Sequence, residues 1–204
     1  MAEVMLTLRI EPQSALGAFA EGLRGRRWVG VPGLASTWTC YFEGAFAEQI
    51  ARIVYEDIRV AADGAGVERW SGAASLGAVP ATRVSAPSEG EPGEVREVWA
   101  DGPEPVGPSG EVVLTLDRAT PALAAALAAR HWSRLGELTS TWVHAFDLGM
   151  FGSVEAIVAG ELAAVAEAAD LDDWRGAWCL ATWGHADLRS PAPPEKGPYS
   201  DWRL

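Results

Sequence analysis

Ser36-Thr37-Trp38-Thr39-Cys40-Tyr41-Phe42 returns later in the chain as Ser140-Thr141-Trp142-Val143-His144-Ala145-Phe146. The recurrence runs without a gap from Arg26–Leu76 to Arg130–Leu180, and fifteen of those 51 positions are identical. Three tryptophan pairs keep register: Trp28/Trp132, Trp38/Trp142 and Trp70/Trp174. Upstream, Glu3-Val4-Met5-Leu6-Thr7-Leu8 matches Glu111-Val112-Val113-Leu114-Thr115-Leu116. The segment that follows is shorter in the second copy by about one helical turn. The chain is an internal duplication, and its architecture is that of one unit used twice.

Both versions of the quoted stretch are rich in aromatic and β-branched residues, which favours a strand. With a period of two, Trp38, Cys40 and Phe42 share one face, as do Trp142, His144 and Phe146. That face is expected in the core. Val4–Ile10 alternates in the same way and reads as a strand. Leu16, Phe19, Ala20 and Leu23 then recur at helical spacing behind Pro12. In the second copy Thr120-Pro121 gives a clearer helix start, a capping hydroxyl followed by proline in the first turn. A second helix follows in each copy, with the stripe Ile50, Ile53, Val54 and Ile58 repeated as Val154, Ile157, Val158 and Leu162. Ala177–Trp183 reads as a last strand; its Gly/Ala-rich counterpart in the first copy is ambiguous.

These readings give an α+β fold. Two strand–helix–strand–helix–strand units are expected to pack with pseudo-twofold symmetry as one body. The sequence does not choose between one continuous sheet and two sheets face to face. The first repeat spans 1–84 and the second 111–190. Between them, 85–110 holds five prolines, five glycines and six acids against one arginine, the composition of a linker. Val95–Ala100 is the one strand-like run within it. The tail 191–204, with four prolines, is expected to be irregular.

The composition excludes more than it assigns. Of 204 residues, 28 are acidic and 16 basic, a net charge of −12 that disfavours phosphate backbones and suits a basic partner. No apolar run has the length of a membrane span, no leader pattern opens the chain, and a cytoplasmic location is expected. Cys40 and Cys179 are not equivalent in the repeat and read as free buried thiols. No cofactor and no metal are expected, because HxH, HExxH, CxxC, GxSxG and phosphate-loop patterns are all missing.

In a duplicated chain, residues that both halves share serve the common fold, and divergent polar residues are the better functional candidates. All three histidines lie in the second half. His131, His144 and Asp147, with Cys40 and Glu43 from the first half, mark a candidate pocket between the repeats for a small molecule or an acid–base pair. The sharper asymmetry is electrostatic. Between Leu135 and Trp174 there are eight acids and no lysine or arginine, whereas Val31–Trp70 offsets six acids with Arg52, Arg59 and Arg69. Glu155, Glu161, Glu167, Asp170, Asp172 and Asp173 are therefore expected to form an acidic face, with the unpaired Trp178 and Trp183 beside it. Trp99 and Trp202 are likewise unpaired. The six paired tryptophans are expected in the core.

The steps Trp70-Ser71-Gly72 and Trp174-Arg175-Gly176, on a small acidic α+β chain, resemble bacterial immunity proteins of polymorphic toxin systems. The resemblance implies a protein that binds and blocks a basic partner such as a cognate toxin, with no catalytic residue of its own. Two other classes stand beside it: a small-molecule-binding protein or enzyme using the pocket above, and a structural homodimer.

Overall fold

A computed structural model describes residues 2–43, 47–77, 82–85, 109–147, 154–172, 174–181 and 185–189. The first unit comprises β1 (Ala2–Glu11), α1 (Leu16–Arg24), β2 (Val29–Gly30), β3 (Thr37–Phe42), α2 (Ala47–Ala65), β4 (Arg69–Gly77) and β5 (Thr82–Ser85). The second repeats it as β6 (Ser109–Leu116), α3 (Pro121–Ala129), β7 (Ser133–Arg134), β8 (Thr141–Asp147), α4 (Val154–Ala168), β9 (Arg175–Ala181) and β10 (His185–Arg189). The fold is α+β, with antiparallel pairing throughout the described strands.

The strands form two sheets, β10-β4-β1-β3-β2 and β5-β9-β6-β8-β7. Read position by position the two orders are the same, except that the last strand of each unit has crossed to the other sheet. β5 pairs with β9, from Thr82↔Trp178 to Ser85↔Arg175. β10 pairs with β4, from His185↔Ser75 to Arg189↔Ser71. The sequence boundaries therefore do not coincide with the sheets. Residues 82–85 belong to the second sheet, residues 185–189 to the first, and β6 begins inside the expected linker. The run 95–100 and the tail lie outside the described residues.

Strand alternation builds four layers. On β1, Val4, Leu6, Leu8 and Ile10 face α1 and α2, where Phe19, Leu23, Ile50, Val54 and Ile58 close the first outer core. On β6, Val112, Leu114 and Leu116 do the same beneath α3 and α4. The opposite faces meet each other. Met5, Ala73, Val113, Ala177 and Cys179 form a layer between the sheets, capped by Val31, Leu34, Leu135 and Leu138 from the loops. Two sheets face to face is thus the arrangement. Small residues permit the close approach: a Cβ at Gly77 would lie 2.0 Å from the Leu180 carbonyl oxygen. The Gly/Ala-rich element that was ambiguous in the first copy is β4, a strand lean in side chains because its partner layers crowd it.

Local sequence accounts for the helix ends. Thr120 caps α3, its Oγ1 accepting from the Leu123 N–H at 3.1 Å. Both first helices end alike, with Trp28 N–H bonding to Leu23 C=O and Trp132 N–H to Leu127 C=O. The turn requires a left-handed residue, supplied by Arg27 (φ 71°) and His131 (φ 66°) rather than glycine. Such a conformation costs about 1–3 kcal/mol. Its product is the reversal that drives Trp28 and Trp132 back into the core.

All six paired tryptophans are buried as expected. Ile53 departs from its expected stripe: Ile50, Val54 and Ile58 are buried, but Ile53 is 42% exposed. At 3.6 residues per turn it lies at the margin of the apolar arc rather than within it.

Candidate functional site

One member of the expected acidic face is compensated. Glu161 is neutralised, because Arg130 Nε and Nη2 donate to its two oxygens at 2.7 and 2.9 Å. That pair holds the Glu161 carboxyl below the usual carboxylate range. Glu167, Asp170 and Asp172 are exposed, grouped at and just beyond the C-terminal end of α4. Glu155 lies on α4 with its side chain outside the described set, and Asp173 and Trp183 are outside the described residues. Trp178 corrects the expectation of a surface aromatic. It is 2% exposed and packs on the helix side of β9 in the second outer core, filling the space that Ala74 leaves to its neighbours in the first.

The pocket expected between the repeats is not assembled there. The inter-sheet layer is filled chiefly by apolar side chains, with buried threonines bonded to one another. Cys40 belongs to the outer core of the first sheet, and His144 lies against Trp132 and Phe146 over the second sheet. The two therefore sit on opposite outer sides of the molecule. Glu43 is exposed beyond β3, and Asp147 ends β8 with its side chain undescribed. His185 lies on β10 in the first sheet, away from the other two histidines' sheet. His131 and His144 do meet, but through the backbone: His144 Nδ1 donates to the His131 carbonyl at 3.0 Å.

A comparison of the two units shows what the sequence concealed. His144 stacks on Trp132 with centroids 5.3 Å apart and meets Phe146 edge-on at 4.4 Å. Its counterpart Cys40 carries no ring, and a groove of about 530 Å³ opens over it, lined by Arg26, Arg27, Tyr41, Phe42, Ile53 and Asp57 among others. Arg134 likewise covers Trp142 in the second unit, its Cζ 5.3 Å from the ring centroid. Its counterpart is Gly30, and there a groove of about 460 Å³ opens beside Trp38. The second unit thus fills, with its own side chains, two depressions that the first leaves open. The first unit also carries the exposed large apolar residues of the described set, Val29 (60%), Tyr41 (55%) and Ile53.

The chemistry of the Cys40 groove is muted. Burial, followed by the nearby Asp57 carboxylate, pushes the Cys40 thiol up to about 11, so it is protonated at neutral pH and a poor nucleophile. Asp57 is buried and committed to structure, accepting from Arg26 Nη1 at 2.8 Å and Trp28 Nε1 at 3.0 Å. In the second unit the Trp132 Nε1–H makes no hydrogen bond of normal geometry, although it lies near enough to Glu161 to help hold that carboxyl low. Among the described residues no group of three or more His, Cys, Asp or Glu is placed to hold a metal, and no helix is long and apolar enough to cross a membrane.

No protein-family model matches this chain, and no curated protein matches it. The two units are therefore each other's best comparison. The signal for the grooves was present in the repeat alignment as the exchanges Gly30/Arg134 and Cys40/His144. It reads only once the strands place those positions against tryptophans.

Proposed function

We propose that this chain is a non-enzymatic binding protein that captures a basic protein partner, in the manner of an immunity protein, through the acidic end of α4. One observation carries the reading. Carboxylates at a helix C-terminus oppose the macrodipole, each at a cost of about 0.3–1 kcal/mol. In α2 the first unit relieves this: Arg59 bonds Asp63 at 2.9 Å and Glu56 at 2.6 Å. In α4 the position of Arg59 is Ala163, the last turn holds no basic residue, and Glu167, Asp170 and Asp172 stand exposed. Among the described residues no ion pair holds these three. Acids kept where they destabilise their own helix support a role outside the fold, and uncompensated charge accelerates encounter with a cationic surface.

The test is co-expression with the neighbouring open reading frame of its genome, followed by binding measurements on the pair. The neighbour should arrest growth alone and be tolerated with this chain. E167Q/D170N/D172N, which preserves shape and keeps a residue tolerant of the left-handed turn at position 170 (φ 52°), should weaken binding at least tenfold and flatten its salt dependence. A harmless neighbour, or a variant that binds and responds to salt as the parent does, overturns the proposal.

A second reading, small-molecule binding, is supported by the Cys40 groove, whose volume lies in the range of ligand sites. Cys40→His, which copies the second unit, should close it and abolish any ligand found by screening.

A further inference from the structure

Arg26 and Arg130 are counterparts, but their guanidinium groups are used to different extents. Arg130 engages Glu161 along one whole edge, through Nε and Nη2. In the first unit the acid at that place is Asp57, one methylene shorter, and one of its oxygens serves Trp28 Nε1. Arg26 therefore donates to it through Nη1 alone, and among the described residues its Nε–Nη2 edge meets no acceptor. Arg27, beside it, is exposed and makes no ion pair among the described residues. Both arginines line the groove over Cys40, whose volume of about 530 Å³ suits a small ligand. Its mouth is open to solvent: Ile53 is 42% exposed and the Arg26 side chain 35%. The strand ladder adds a donor. Val31 N–H bonds to Thr37 C=O, so alternation turns the Tyr41 peptide to the same side. β2 is paired only as far as Thr39, which leaves the Tyr41 N–H facing the groove. Of the charged groups in the lining, Asp57 is countered by Arg26, and Arg27 is left as a net positive charge. Of the acids near by, Glu56 is bonded to Arg59, and Glu3 lies on the inter-sheet face of β1. Screening within about 8 Å at physiological salt makes this local charge, rather than the net −12, what a ligand in the groove meets.

We infer that this groove binds a small carboxylate with an apolar body, the carboxylate seated on Arg26 and Arg27 and the body lying against Phe42 and Ile53. The inference rests on the small-molecule reading above and adds the chemical class of the ligand; it does not depend on the acidic end of α4. A guanidinium edge matches a carboxylate with two parallel bonds, which is the contact Glu161 makes with Arg130 in the second unit. One uncompensated positive charge suits a monoanion better than a phosphate dianion. Beneath it, Cys40 is a protonated thiol at neutral pH and adds an uncharged, polarisable floor.

The test uses the full chain labelled with ¹⁵N and follows the backbone amides of Arg26, Arg27, Tyr41 and Ile53. The probes are 3-phenylpropionate, its uncharged analogue 3-phenylpropionamide, and inorganic phosphate. The acid should shift these signals saturably in the millimolar range and bind at least tenfold more tightly than the amide. Phosphate should not reproduce the shifts. Arg27→Asn, in which asparagine tolerates the left-handed backbone (φ 71°), should weaken the acid severalfold and leave the amide unchanged. Cys40→His should abolish binding of both. No saturable shift with the acid, the same shifts with phosphate, or undiminished acid binding in Arg27→Asn or Cys40→His overturns the inference. An amide that binds as tightly as the acid and is lost in Cys40→His strikes the carboxylate and leaves the small-molecule groove standing.

Discussion

Thr7 Oγ1 lies 3.0 Å from Thr115 Oγ1, and the two residues are each other's counterparts in the repeat. A residue that touches its own equivalent sits on the twofold relating the copies. The contact continues outward on both sides, Thr7 to Thr37 at 3.1 Å and Thr115 to Thr141 at 3.0 Å. All four threonines are buried. A single chain of hydroxyls therefore stitches the two sheets at the centre of a largely apolar layer. Thr7→Val or Thr115→Val should each cost about 1–3 kcal/mol, because the remaining hydroxyls lose a buried partner. The double variant should cost less than the sum, a coupling of about 0.5 kcal/mol or more. Denaturant midpoints for the four proteins measure it, and strict additivity would refute the stitch.

Asp57 and Glu161 occupy the same place on equivalent helices but carry unequal loads. Asp57 satisfies both the Arg26 guanidinium and the buried Trp28 N–H, whereas Trp132 goes without a full bond. Asp57→Ala should cost about 2–4 kcal/mol, leaving a donor and a charge unpaired. Glu161→Ala should cost distinctly less. Equal losses in thermal unfolding would contradict this account.

Arg130 holds the Glu161 carboxyl below its ordinary range, which gives a sign for the acid response. The carboxylate binds its proton more weakly folded than unfolded. Its stabilising share is present above the unfolded value and is lost as pH falls through the folded one. Arg130→Ala should lower stability at neutral pH, where the pair's share is present, and flatten the decline below about pH 4.5, so that unfolding curves of variant and parent converge in acid.

At the alkaline end the thiols govern. Burial pushes Cys40 up to about 11 and Cys179 to about 12, from an ordinary 9.0. The folded state keeps protons that the unfolded state releases, so stability should decline as pH rises above 9.0 toward these values. Against a disulfide reagent at pH 8, Cys40 should react slowly and Cys179 only on unfolding. Rapid modification of both in the native protein would contradict the packing.

Trp178→Ala separates fold from function. The side chain lies in the outer core among Leu114, Trp142 and Leu180, and removing it should cost about 3–5 kcal/mol. A loss of partner binding in that variant would then track unfolding rather than a lost contact.

The duplication carried most of the fold into the sequence. Period two placed Val4, Leu6 and Leu8 together, and the Trp pairs marked the core because burial constrains both copies alike. What the sequence could not show was pairing between distant segments. Nothing in Thr82–Ser85 or His185–Arg189 states which sheet each joins, since backbone bonds, not side-chain identities, decide it. The acidic face was half legible for a similar reason. Counting charges between Leu135 and Trp174 missed Arg130, which lies outside that window in sequence and against Glu161 in space. Trp178 read as surface because it has no paired tryptophan, yet an unpaired position can equally be one where the two cores are filled differently.

The crossing of β5 and β10 also sets the timetable of synthesis. The first sheet cannot close its β4 edge until residues 185–189 have left the ribosome, long after the rest of that sheet has emerged. Throughout that interval Ser71–Ser75 presents unpaired backbone to every neighbouring nascent chain, a template for wrong pairing. Completion then requires contacts between residues more than a hundred positions apart, which makes for slow folding. A chain wired this way is at its most vulnerable while it is being made, and its expression should respond to growth temperature and chaperone supply more sharply than its finished stability would indicate.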